Sequence, residues 1–85
     1  MQNSESFKNT LNQEYDFPCN YSFKFIVKSN LEKMVLNLLP KAKSTIKTSK
    51  RLTYVSITLT SFVNNADEIV YIYDKASKID GIISL

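Results

Sequence analysis

The sequence has no histidine and no tryptophan, one cysteine, one glycine and two prolines among 85 residues. Each shortage removes a class of chemistry. Without histidine the usual acid–base side chain near neutral pH is missing, and Ser-His-Asp or Cys-His nucleophile systems are excluded. A lone cysteine, Cys19, can build neither an internal disulfide framework nor a multi-cysteine metal site, which points to a reducing compartment. Residues 1–16 contain no apolar run of signal-peptide kind, and no later stretch approaches membrane-span length. A cytoplasmic protein without membrane contact is expected, with no metal and no cofactor.

What is present suits one small folded unit. Hydrophobic residues make up 44% and charged residues 22%, which argues against disorder throughout, and the length leaves room for a single core. Residues 1–16 are polar, with Phe7, Leu11 and Tyr15 spaced four apart. That spacing could make a faint amphipathic turn or two, but so few apolar residues at a chain end predict a flexible tail, with a single domain over 17–85.

From Tyr21 to Lys28 the pattern alternates, Tyr21, Phe23, Phe25 and Val27 against Ser22, Lys24, Ile26 and Lys28. A period of two predicts a half-buried strand. Ser29 and Glu32 have capping-box spacing. Leu31, Met34, Val35, Leu38 and Leu39 then recur as a helix would place them, until Pro40 stops it. Residues 44–49 predict an edge strand, which Lys43 and Lys47 would keep from pairing with other molecules. Around Ser49-Lys50-Arg51 the absence of glycine predicts a longer or bulged turn. Residues 52–62 alternate again: Thr53, Val55, Ile57 and Leu59 take one side, and Leu52, Tyr54, Ser56, Thr58 and Thr60 the other.

Asn65 is the expected N-cap of a second helix. The one adjacent acid pair, Asp67 and Glu68, falls in its first turn, where the helix dipole favours negative charge, and this explains the pair without catalysis. Ile69, Ile72, Tyr73, Ala76 and Ile79 form an apolar stripe. Gly81 sits where a left-handed residue ends a helix, and 82–85 return as a strand. The order β-α-β-β-α-β with right-handed crossovers predicts an α+β, ferredoxin-like sandwich: a four-stranded antiparallel sheet with two helices on one face. The expected core is Tyr21, Phe23, Phe25, Val27, Leu31, Val35, Leu38, Val55, Ile57, Leu59, Ile69, Ile72, Tyr73, Ala76 and Ile79.

Such a fold hosts many functions, so side chains must discriminate. One cysteine excludes an iron–sulfur ferredoxin and a C-x-x-C metal shuttle. An acylphosphatase-like site needs an arginine in the first strand–helix loop, but that loop is Lys28-Ser29-Asn30 and the one arginine, Arg51, lies elsewhere. The same loop has neither the glycine nor the proline usual at ACT-type ligand sites. Against the RNA-recognition motif, Lys50, Val55 and the ring of Tyr54 match, whereas Arg51, Leu52 and Ile57 replace a glycine and two aromatics. Charge keeps RNA in view: Lys33, Lys41, Lys43, Lys47, Lys50 and Arg51 lie in a window without an acid, between Glu32 and Asp67. Cys19 reads as a small packed hydrophobe.

Phe17-Pro18-Cys19 leading into an alternating strand resembles the opening of the YbeD-like family of small bacterial proteins. Ser49 to Leu59, with a Tyr and a Ser on a Val/Thr-rich strand, is similar to that family's second hairpin, and Ile72-Tyr73, Ile79 and the apolar ending follow suit. Lys50-Arg51 departs from the small residues often found there. The resemblance covers 17–85. It implies a ferredoxin-like fold akin to ACT regulatory domains, no established activity and no catalytic residues to carry over.

The expectation is a non-enzymatic binding or regulatory protein. Its surface would be the open sheet face and basic edge: Lys24, Lys28, Lys47, Lys50, Arg51 and Tyr54. A protein partner ranks first. Single-stranded RNA on the Lys41–Arg51 stripe with Tyr54 is the alternative, and a weak homodimer through Ile26, Ser56, Thr58 and Thr60 is also expected.

Overall fold

The computed structural model describes residues 4–51 and 53–85. Its elements are α1 (Ser4–Glu14), β1 (Cys19–Lys28), a 3-10 turn (Ser29–Leu31), α2 (Glu32–Leu36), β2 (Lys43–Thr48), β3 (Tyr54–Val63), α3 (Ala66–Ala76) and β4 (Ile83–Ser84). The strands pair antiparallel in the order β2-β3-β1-β4. This is the ferredoxin-like arrangement, with helices on one face of an open sheet.

Alternation dictates the core. Odd-numbered residues of β1 and β3 point the same way because the register sets odd against odd, from Cys19 opposite Val63 to Val27 opposite Val55. Phe23, Phe25, Val27, Val55, Ile57 and Leu59 are buried on that side. Val35 of α2 and Ile69, Ile72 and Ala76 of α3 cover them. Tyr21, Leu31 and Tyr73, expected inside, are half-buried at the border, while Val63 and Ala66 are buried in addition. The Tyr21 and Tyr73 hydroxyls meet at 3.0 Å, and burial, followed by that contact, pushes the Tyr73 phenol well above its ordinary range.

Two expectations need correction. The segment 1–16 is not a flexible tail over its described part: residues 4–14 are helical and lie against α3. Leu11 enters the core, Phe7 sets its ring edge-on to Tyr73 with centroids 5.7 Å apart, and Lys8 pairs with Asp67 at 2.6 Å. The folded unit therefore reaches back to residue 4. The second correction concerns the helix expected after Ser29, which is shorter than the apolar spacing implied. It opens with the 3-10 turn, neither Lys28 nor Leu31 supplies a side-chain cap, and α2 ends at Leu36. Leu38 stays buried in the turn that follows.

The cap of α3 forms as expected. Asn65 Oδ1 accepts the Glu68 N–H, and both Glu68 carboxylate oxygens accept from Asn64, from its backbone N–H and its side-chain amide, all at 3.1 Å. Asn65→Ala should lower stability by about 0.5–2 kcal/mol, read as a shifted urea midpoint. An unchanged midpoint would contradict this role. Gly81, at φ +68°, closes the turn in which the Ile82 N–H reaches the Ile79 carbonyl (3.3 Å) and feeds β4.

Candidate functional site

The even-numbered residues of β1 and β3 stand on the side without helices. Lys24 and Lys28 are exposed there, as is Tyr54, and the Ser56, Thr58 and Thr60 hydroxyls lie between strands. Ser22 and Thr60 join across the strands at 2.9 Å. On β2, Lys43, Thr45 and Lys47 oppose Thr60, Thr58 and Ser56, which puts them on the same open face.

The hairpin loop brings the remaining two cations to one end of this face. The Ser49 N–H donates to the Tyr54 carbonyl (2.9 Å) and the Tyr54 N–H donates to Ser49 Oγ (3.2 Å), which closes the hairpin between β2 and β3. The end of β1 is tied to that loop by the Ser29 N–H on the Thr53 carbonyl, 2.9 Å. Lys28 stands opposite Tyr54, so Lys28, Tyr54, Lys50 and Arg51 gather at this end. Leu52, expected on the open side, lies outside the described residues.

The sequence window missed part of this grouping. Lys33 belongs to α2 and Lys41 to the loop before β2, while β1 contributes Lys24 and Lys28. The four strands and the β2–β3 loop hold six of the eleven cations and none of the eight Asp and Glu side chains. Among the described residues none of these six cations is in an ion pair; the pair that does form, Lys8–Asp67, lies in the helical layer.

Sequence reasoning also missed an apolar corner. Ile83 stands opposite Ile26, and Leu85 donates its N–H to the Lys24 carbonyl at 2.9 Å. Ile83 and Leu85 are more than half exposed. The open face therefore runs from cations on β2 to bare aliphatic side chains beside β4. Finding that corner from sequence requires the β1–β4 register, which a two-residue strand does not announce.

Elsewhere, an apolar depression of about 170 Å³ lies between Leu39, Phe62, Tyr71 and Ile72. Its one carboxylate, Glu68, is engaged by Asn64 in the α3 cap, so it offers a ligand no uncommitted charge. Cys19 is a half-buried free thiol packed against the core. Among the described residues no helix is long and apolar enough to cross a membrane.

A model of the family described as "Protein of unknown function (DUF493)" matches residues 12–85. The chain belongs to the DUF493 family. This is the YbeD-like family that the strand opening and the second hairpin resemble. No curated protein and no solved structure matches the chain. The DUF493 description assigns no activity, so function must be argued from the face itself. The matched segment begins after Leu11, so most of α1 lies outside it.

Proposed function

We propose that this DUF493 protein is a non-enzymatic binding protein, regulatory in kind, that holds an acidic protein partner on its open sheet face. One observation carries the reading: this face combines exposed lysines with an aliphatic corner at Ile26, Ile83 and Leu85, and bears no Asp or Glu. Apolar area provides the favourable desolvation, while charge sets approach and register. A second copy fits poorly, because face-to-face pairing would set lysine against lysine. That disfavours the homodimer.

Capture experiments test the proposal. The wild type is compared with a Lys24→Glu, Lys28→Glu, Lys47→Glu variant and with a Lys33→Glu, Lys75→Glu, Lys78→Glu control of equal net charge. A partner kept by the control and lost from the open-face variant is the expected result. Equal loss from both, or no enriched protein, would end the reading.

One feature favours RNA as a second reading: Tyr54 is exposed among Lys28, Lys50 and Arg51. The other ring of this parity, Phe62, lies eight residues along β3, about 27 Å away, too far to stack neighbouring bases. Titration of oligouridylate against wild type and a Lys47→Glu, Lys50→Glu, Arg51→Glu variant decides it. Salt-sensitive binding lost in the variant would establish the RNA reading.

A further inference from the structure

The register places the open-face lysines in an order that neither composition nor the family supplies. Proceeding along β3, Thr60 has Lys43 beside it on β2, and Thr58 has Lys24 beside it on β1. Next, Ser56 has Lys47 on β2, and Tyr54 has Lys28 on β1. A lysine thus flanks every open-face position in this stretch of β3, alternately from one side and the other. Successive positions are two residues apart along the strand, about 7 Å, and each flanking strand is about 5 Å to the side. Between the lysines runs a column of four hydroxyls, from Thr60 to Tyr54, of which Thr60 Oγ1 already pairs with Ser22 Oγ.

We infer that the occupant of this track is an extended segment of an acidic protein with a carboxylate at every second residue. In an extended chain, side chains at i, i+2 and i+4 point the same way and repeat at about 7 Å, which is the repeat of the lysines. Each carboxylate would lie over the hydroxyl column and meet one ammonium, from alternate sides. A helix matches the track less well, because its same-face residues at i and i+4 repeat at about 6 Å along a stripe that winds around its axis. A run of contiguous acids in an extended chain turns half of its charges away. Single-stranded nucleic acid also carries repeating charge, but of the four column positions only Tyr54, at one end, offers a ring, so most of its bases would lack stacking partners.

This inference rests on the open face being the binding surface, and the test separates the two. Two fluorescein-labelled peptides of equal composition are titrated by anisotropy at low and moderate salt: one alternating Asp and Thr, the other with the Asp residues in one block. Oligouridylate of similar charge is the third probe. The alternating peptide should bind about fivefold to tenfold more tightly than the block isomer, the scale of a few cooperating surface ion pairs. Raising the salt should weaken it. Lys24→Ala and Lys43→Ala should each reduce the preference about twofold to fourfold, from opposite sides of the track, while Lys33→Ala on α2 leaves it unchanged. All three residues are exposed and outside the core, so the variants should remain folded, which circular dichroism checks.

Equal binding of the two peptides would overturn the register argument. The open-face reading would still stand if partner capture remained sensitive to Lys24, Lys28 and Lys47. Tighter binding of oligouridylate than of either peptide would overturn the inference in favour of nucleic acid. Failure to bind any probe would overturn it as well.

Discussion

Phe25→Ala is expected to remove a large share of the folding free energy, about 3–5 kcal/mol. Phe25 is fully buried on β1, paired with Ile57 on one side and Ser84 on the other. Its ring stacks on Phe23, 6.4 Å between centroids with 9° between planes, and meets Tyr73 edge-on at 5.8 Å. Truncation would empty the junction of the two central strands with α3, and flanking rings cannot collapse inward without leaving their own contacts. For 85 residues the usual range of stability is about 4–13 kcal/mol, so the variant should be marginal. Urea unfolding should show a much lower midpoint with the slope retained. Ile46→Ala is the companion measurement. Ile46 is an apolar residue on the edge strand and remains partly exposed, so its loss should be slight. Similar losses at the two positions would refute this assignment of the core.

The second large effect is expected at Leu11. Leu11 is the one buried side chain among the described residues of α1. Phe7 is half-buried, and the Lys8–Asp67 pair is a surface contact, the kind that salt screens and side-chain entropy opposes. Leu11→Ala should therefore cost about 2 kcal/mol or more, up to the limit of what docking α1 contributes. Hydrogen exchange distinguishes the outcomes. Protection should fall across residues 4–14 first, while β1 and β3 keep theirs. Uniform loss throughout the sheet would mean that α1 is not a separable layer.

Both positions show where sequence reading succeeds. Phe25 belongs to a strand whose alternation and aromatic content leave little choice of face, and its burial is readable before any fold is known. The α3 cap is equally local, since Asn65 and Glu68 need only each other and Asn64. Leu11 is the opposite case. Its helix is polar apart from a residue every four, and a short helix of that kind is marginal by itself. What orders it is distant in sequence: α3, where Tyr73 meets Phe7, and the core that takes in Leu11. The helix after Ser29 departs for a related reason: apolar spacing through Leu39 is a local signal, whereas α2 ends at Leu36.

The candidate face divides in the same way. Lys24, Lys28, Lys47 and Tyr54 could be assigned to the open side by parity alone, and Lys50 and Arg51 to its end. Grouping cations by adjacency gave Lys33 and Lys41 a place they do not hold. Lys43, read as a guard of the edge and as one cation of the basic window, proves to be part of the lysine series on the open face. Strand pairing decides which charges are neighbours, and pairing is a non-local property.

Placing every Asp and Glu outside the strands and their hairpin has one more consequence. The formal excess of three positive charges is the difference between six cations on the strands and their hairpin and a net three negative charges on the rest of the chain. The molecule therefore carries an electric moment directed toward its strands. In the field of a charged body it would feel a torque before contact, arriving already turned. Its retention on ion-exchange media should accordingly exceed what the overall charge suggests.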